Sequence, residues 1–135
     1  MAAPLVKLDH CVIKVSNFDR SDAFYARVLG CTVEAPMPQF RFYRLGAQQL
    51  NVHGPELDAP AHLLARIPVA PGNSDLCFEW PGPLDGAVRH LAECGVPIET
   101  GPIDTAGAKG RGHSVYFRDP DGSLLEFITY TEAAT

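Results

Sequence analysis

The 135-residue sequence has no long run of apolar residues, no stripe of lysine and arginine, and no closely paired cysteines. Each absence excludes a class of function. A bilayer-spanning helix needs about 18 or more consecutive apolar residues, and the opening Met1-Ala2-Ala3-Pro4 has no charged-then-apolar leader pattern. Eleven Lys and Arg against 16 Asp and Glu leave a formal net charge of −5, so neither nucleic acid nor membrane is an expected partner. The four cysteines stand singly at 11, 31, 77 and 94, and without a CxxC pair a zinc knuckle is not expected. Cys11 and Cys77 occupy matching strand positions and read as small buried hydrophobes. A cytoplasmic location fits this usage.

What is present is a repeat. Leu8-Asp9-His10-Cys11-Val12-Ile13-Lys14-Val15 precedes an amphipathic stretch ending at Val28-Leu29-Gly30. Ser74-Asp75-Leu76-Cys77-Phe78-Glu79-Trp80 precedes another, ending at Glu93-Cys94-Gly95. The pattern predicts one α+β domain, built from a first module at 5–54, a linker at 55–72 and a second module at 73–130. In the first module, a strand over 6–15 leads to a helix over 18–29, capped by Ser16 or Asn17 and stopped by Gly30. Strands follow at 31–35, 40–45 and 48–53, the first of them ended by Pro36 and Pro38. In the second, a strand over 75–80 leads to a helix over 83–94 opened by Pro83. A strand at 96–100, a glycine-rich loop at 101–112 and a hairpin of 113–118 with 123–129 complete it. The turn of that hairpin is Asp119-Pro120-Asp121-Gly122.

Strand alternation sorts the candidate side chains. His10 shares a face with Val12, and Gln49 and Asn51 share one with His53. In the last strand Glu126 shares a face with Leu124 and Ile128. A carboxylate inside an otherwise apolar strand is costly unless paired or ligating, which makes Glu126 the residue most in need of a function. Two histidines and a glutamate on neighbouring strands suit a divalent metal with open positions. His10, His53 and Glu126 are therefore the expected ligands of zinc, nickel, manganese, cobalt or iron. Taken singly, a strand histidine is more often a hydrogen-bonded core or rim residue than a ligand. His90 reads as solvated and His62 as a surface loop residue. Within 107–112, Lys109 and Arg111 add positive charge to a chain that is acidic overall, so that segment reads either as an anion-binding loop or as a solvated one. Arg41 and Tyr43, alternating with Phe42 and Arg44, are further candidates to line the cleft.

Three segments carry a resemblance: Leu8-Asp9-His10, Phe24-Tyr25 before Leu29-Gly30, and Tyr116-Phe117-Arg118-Asp119-Pro120-Asp121-Gly122 before Glu126. Together they resemble the vicinal oxygen chelate superfamily, which includes glyoxalase I, extradiol dioxygenases, fosfomycin-resistance thiol transferases and bleomycin-binding proteins. Asn51-Val52-His53 and Gly107-Ala108-Lys109-Gly110 are most similar to its small glyoxalase-domain, virulence-associated members. The resemblance implies paired βαβββ modules curving a mixed sheet around a cleft, with metal ligands at four symmetry-related strand positions. It matches His10 to the first-strand ligand and Glu126 to the last-strand ligand. It sets Asn51 where glyoxalase I has glutamate, and Leu76 where the second module usually has histidine. His53 then becomes the replacement ligand. Ser114 matches a serine that helps bind anionic substrate in the fosfomycin-resistance relatives, and parity puts Tyr116 on its side.

Two functions follow from this. One is a metal-dependent enzyme of lyase or isomerase type, resembling lactoylglutathione lyase, with a small oxygen-rich substrate chelated by the metal. Asn51, Lys109, Arg111, Ser114, Tyr116 and Arg41 would be its substrate contacts, and Glu126 would be catalytic as well as ligating. The alternative is a metal-free protein that sequesters an apolar or cationic small molecule, as bleomycin-binding members do. Extradiol-type dioxygenation is a third reading. The resemblance also implies a homodimer.

Overall fold

The computed structural model describes residues 3–131, and the chain divides between Val69 and Ala70 into two compact units. The first unit runs β1 (His10–Lys14), α1 (Phe18–Leu29), β2 (Thr32–Met37), β3 (Phe40–Leu45) and β4 (Gln48–His53), followed by one 3-10 turn at Ala61–Leu63. Its sheet order is β1-β4-β3-β2, with β1 parallel to β4 and the other neighbours antiparallel. The second unit repeats this with β5 (Asp75–Glu79), α2 (Leu84–Glu93), β6 (Thr100–Gly107), β7 (Gly110–Arg118) and β8 (Leu124–Thr129), in the order β5-β8-β7-β6. Each unit is a βαβββ module. Among the described residues, no helix is long and apolar enough to cross a membrane.

Each helix covers one face of its own sheet. In α1, Asn17 Oδ1 accepts the Arg20 amide at 2.9 Å, and Gly30 closes the helix at φ 75°. Its buried residues Ser21, Tyr25 and Val28 include Tyr25, whose ring stacks 4.9 Å from that of Tyr43 on β3. In α2, Leu84, Ala87 and Leu91 form the buried stripe. Opposite it lie the wholly buried Val115 and Phe117 on β7 and Leu125 on β8. Each large apolar side chain buried in this way contributes about 1.5–3 kcal/mol. The opposite face of each sheet is the open one, and it carries the polar side chains.

Both helices and strands β3 and β4 lie within a residue of their expected bounds; four other expectations are corrected. β1 begins at His10 and not at residue 6, because its partner β4 pairs His10 with Gln49 and has almost no residues left for an earlier one. Leu5, Val6 and Leu8 are accordingly exposed. β2 runs through Pro36 to Met37, since it is an edge strand and a missing amide there breaks no ladder. The strand expected at 96–100 begins only at Thr100, and the expected loop at 101–112 is the β6–β7 hairpin. Its glycines are strand residues: a Cβ on Gly112 would stand 2.6 Å from the Thr129 carbonyl oxygen. Finally, Cys77 is exposed and Cys11 half-buried, leaving Cys31 as the buried thiol. The cause is that β5 points Cys77 toward the open face.

Candidate functional site

On the first module's open face, strand register groups His10, Val12 and Lys14 of β1 with Gln49, Asn51 and His53 of β4. Phe42 stands beside Asn51, and Phe40 beside His53. His10 Nδ1 lies 2.8 Å from Asp9 Oδ1. A carboxylate only accepts, so Nδ1 carries the proton and Nε2 is left as a free donor atom, the arrangement common in metal-ligating histidines. Gln49 Nε2 donates to Asn51 Oδ1 at 2.6 Å, which leaves the Asn51 amide hydrogens available.

The register corrects the ligand role expected of His53. His53 pairs with Lys14, whereas His10 pairs with Gln49, four residues earlier on the same strand. At a ~3.3 Å rise per residue that separation is about 13 Å, too far for both imidazoles to hold one ion. His53 is instead a neutral imidazole beside a cation. Its pKa is lowered, first by burial and then by Lys14, and its ring lies 5.4 Å from that of Phe40.

Arg41 and Tyr43 are also corrected. They pair with Val52 and Leu50, on the helix-covered face. Arg41 Nε bonds Asp22 Oδ2 at 3.0 Å, and its guanidinium lies 3.9 Å from the centre of the Phe18 ring. Tyr43 Oη is 2.6 Å from Asp22 Oδ1 and 2.9 Å from Ser21 Oγ, its single proton serving the carboxylate. Both residues tie β3 to α1, and neither lines the open face.

The second module centres on Glu126. Its strand neighbours are Cys77 on β5 and Tyr116 on β7, and both hydrogen-bond it. Partial desolvation of an otherwise exposed thiol by its strand neighbours, followed by the negative charge of Glu126, pushes Cys77 up to about 12, and the same two causes raise the Tyr116 phenol. Both therefore stay protonated at neutral pH. Ser114 Oγ donates to Glu126 Oε2 at 2.5 Å and lies 2.6 Å from Thr105 Oγ1. With the Ser114 proton committed to the carboxylate, Thr105 is the donor to Ser114. Ser114 is wholly buried with both partners engaged, so it positions Glu126 and is not placed to touch a ligand itself.

Lys109 and Arg111 do not act together. Lys109 Nζ reaches Glu79 at 2.9 Å. Arg111 pairs with Ala106 one residue out of phase with Ser114, and so points to the opposite face from Glu126.

The internal symmetry exposes a residue that the sequence reading missed. In the first module, Asn51 lies two residues after the partner of His10; in the second, Glu126 lies two residues after Leu124, the partner of Asp75. Asp75 is therefore the counterpart of His10, Cys77 of Val12, and Glu126 of Asn51. Leu76 pairs with Leu125 on the helix-covered side, so it does not occupy the histidine's place as expected. The signal was available in the alternation Asp75-x-Cys77-x-Glu79, three polar residues at period two.

Among the described residues, no three His, Cys, Asp or Glu side chains stand together as a ready metal site. At the equivalent positions the first module offers an imidazole nitrogen (His10) and an amide oxygen (Asn51), and the second offers two carboxylates (Asp75 and Glu126), donor types that first-row divalent ions accept.

Comparison with known proteins agrees with this architecture. Virulence protein STM3117 of Salmonella typhimurium is 35% identical over 124 residues, covering 92% of this chain and 84% of that protein. Its crystal structure superposes with a TM-score of 0.86 at 33% identity, covering 96% of this chain and 100% of that one. Metallothiol transferase FosB of Shouchella clausii is 30% identical over 131 residues, 93% of this chain and 82% of that protein. The structure of lactoylglutathione lyase from Agrobacterium tumefaciens matches with a TM-score of 0.71 at 25% identity, covering 94% of this chain and 96% of that one. Residues 7–127 match a family model that spans both modules, and the repeated βαβββ topology, with its polar open faces, is what that match describes: the chain belongs to the Glyoxalase/Bleomycin resistance protein/Dioxygenase superfamily.

Proposed function

We propose that the protein is a metal-dependent enzyme of the lyase or isomerase type, acting on a small molecule with neighbouring oxygen atoms. Asp75 and Glu126 are the proposed metal donors on the second module's open face, and His10 is the proposed donor on the first module's, where Asn51 is a neutral oxygen donor or substrate contact. The observation that carries this reading is the support built around Glu126. A carboxylate on an otherwise apolar strand receives a hydrogen bond from Ser114, which is itself held by Thr105. An arrangement of this kind fixes the orientation of a carboxylate that must ligate or move a proton. The relatives named as a metallothiol transferase and a lactoylglutathione lyase support metal-assisted chemistry as the class.

A bound divalent ion supplies Lewis acidity toward the substrate oxygens. The chain's own residues provide the rest. Tyr116, kept protonated by burial and by Glu126, directs its one proton to that carboxylate and helps Ser114 to orient it. Glu126 accepts the proton from the carbon next to the polarised oxygen and returns it, with Ser114 holding the carboxylate in place. On the first module's own open face, neutral His53 and Lys14 offer a hydrogen-bond acceptor and a cation.

The test is metal analysis of protein purified without chelator. The expected content is roughly one ion per site, lost in His10→Ala and Glu126→Ala and weakened in Asp75→Ala. His53→Ala should keep the metal and lose only ligand affinity. Stoichiometric metal surviving both His10→Ala and Glu126→Ala would sink the proposal. A specific observation favours a second reading, metal-free binding of an apolar or cationic molecule. The first module offers uncharged Asn51 where the second has Glu126, and the rings of Phe40 and Phe42 lie nearby, 5.4 Å apart. Protein that neither carries nor takes up metal, yet retains a ligand, supports that alternative.

A further inference from the structure

The second module has a cavity on the opposite face of its sheet from Glu126, with chemistry of its own. Alternation along β6 and β7 directs Thr105 and Ser114 toward Glu126, and Asp104 and His113 toward the face that α2 covers. There, between α2 and the β6 edge, lies a cavity of about 530 Å³. That volume is within the range of small-ligand sites, about 300–1,000 Å³. Its body is apolar, formed by Leu84 and Val88 of α2 with Pro102 and Ile103 of β6. Strand pairing is irregular between Thr100 and Ile103, and such irregularities re-aim side chains. Ile103 is 41% exposed, high for an isoleucine.

The polar side chains of the wall are Asp85, Asp104 and His113. His113 Nδ1 lies 2.9 Å from Asp104 Oδ1. The carboxylate accepts, so the Nδ1 position of the imidazole carries the proton shared with Asp104. Asp85 and Asp104 are carboxylates, and among the described residues no lysine or arginine lines the cavity. Asp85 has a partner in Arg89 at 3.3 Å, but the pair is exposed and four residues apart on one helix. Such pairs are worth a few tenths of a kcal/mol, so a ligand exchanges with them readily. On the far side of the Asp104–His113 pair, a smaller hollow of about 270 Å³ is lined by Arg111 and Tyr130.

We propose that this cavity binds a small organic cation, an ammonium group on an apolar body. The ammonium meets the Asp104 and Asp85 carboxylates, and the body lies against Leu84, Val88 and Ile103. This site does not depend on the metal chemistry assigned to the opposite face.

The experiment is a calorimetric or NMR titration of the full chain at low salt with three probes of one shape: benzylamine, benzyl alcohol and benzoate. Benzylamine should bind, benzyl alcohol at least ~10-fold more weakly, and benzoate not at all, as expected for one charge-assisted hydrogen bond. Asp104→Asn should weaken benzylamine by a similar factor. Val88→Trp, which fills the cavity from α2, should abolish binding while leaving metal content unchanged. Near-UV circular dichroism confirms that both variants are folded. Absence of benzylamine binding, equal binding of amine and alcohol, or amine binding that survives Val88→Trp would each overturn the proposal.

Discussion

Replacing Ser114 by alanine should weaken the proposed metal site without removing any metal donor. Ser114 Oγ is 2.5 Å from Glu126 Oε2 and 2.6 Å from Thr105 Oγ1, and the residue is wholly buried. A hydrogen bond to a charged group contributes about 1.5–3 kcal/mol. At about 1.4 kcal/mol per decade, the variant should bind metal roughly 10–100-fold more weakly, the range known for partners that support a ligand from outside. Glu126 keeps Tyr116 and Cys77 as partners, so the loss stays well short of that in Glu126→Ala. The Thr105 hydroxyl loses its acceptor, which should lower folding stability by about 1–3 kcal/mol. Competition with a chelating dye reads the first effect and denaturant unfolding the second. Thr105→Val should weaken metal binding less than Ser114→Ala, and the double variant no more than Ser114→Ala alone, because Thr105 acts through Ser114. Wild-type metal affinity in Ser114→Ala refutes the positioning role. So does a Thr105→Val effect that adds in full on the Ser114→Ala background.

Two further outcomes follow from the structure. Burial pushes the Cys31 thiol from 9.0 up to about 12 and raises the Tyr43 phenol above its ordinary 10.0. The unfolded chain therefore releases these protons first, so stability is complete below pH 9 and falls as pH rises toward 12, by up to about 1.4 kcal/mol per pH unit for each group; denaturant midpoints at pH 8 and pH 11 should differ less in Cys31→Val than in the wild type, and equal slopes would refute the assignment. The chain should also assemble as a homodimer, since Leu5, Val6 and Ile67 are 84–97% exposed and apolar side chains left in water favour burial against a partner; light scattering at micromolar protein should give about twice the 14.6 kDa chain mass, and a 14.6 kDa particle alone would count against it.

What was legible in the sequence was local, and what was not depended on register. Asn17, Gly30 and Pro83 mark helix ends by their own backbone chemistry, and both helices lie within a residue of the expected bounds. The alternation of β4 and β8 likewise separated Asn51 and Glu126 from the buried Leu50, Val52, Leu125 and Phe127. A glycine count, by contrast, carries no information on whether the residue needs freedom or lacks space. Gly112 lacks space, and the apparent loop at 101–112 is a hairpin. The larger error has one cause. Which residue of β5 matches His10 is settled by its pairing with β8, a contact about 50 residues away in the chain, and a one-residue slip carries a side chain to the other face. The resemblance set Leu76 at the place of the second module's histidine, whereas pairing makes Asp75 the counterpart of His10. The same slip made His53 look like a replacement ligand: once Leu76 was read as a lost histidine, a substitute had to be found. Pairing gives the second module two carboxylates on one face, Asp75 and Glu126, while His53 lies four residues along from the partner of His10, too far to share an ion with it.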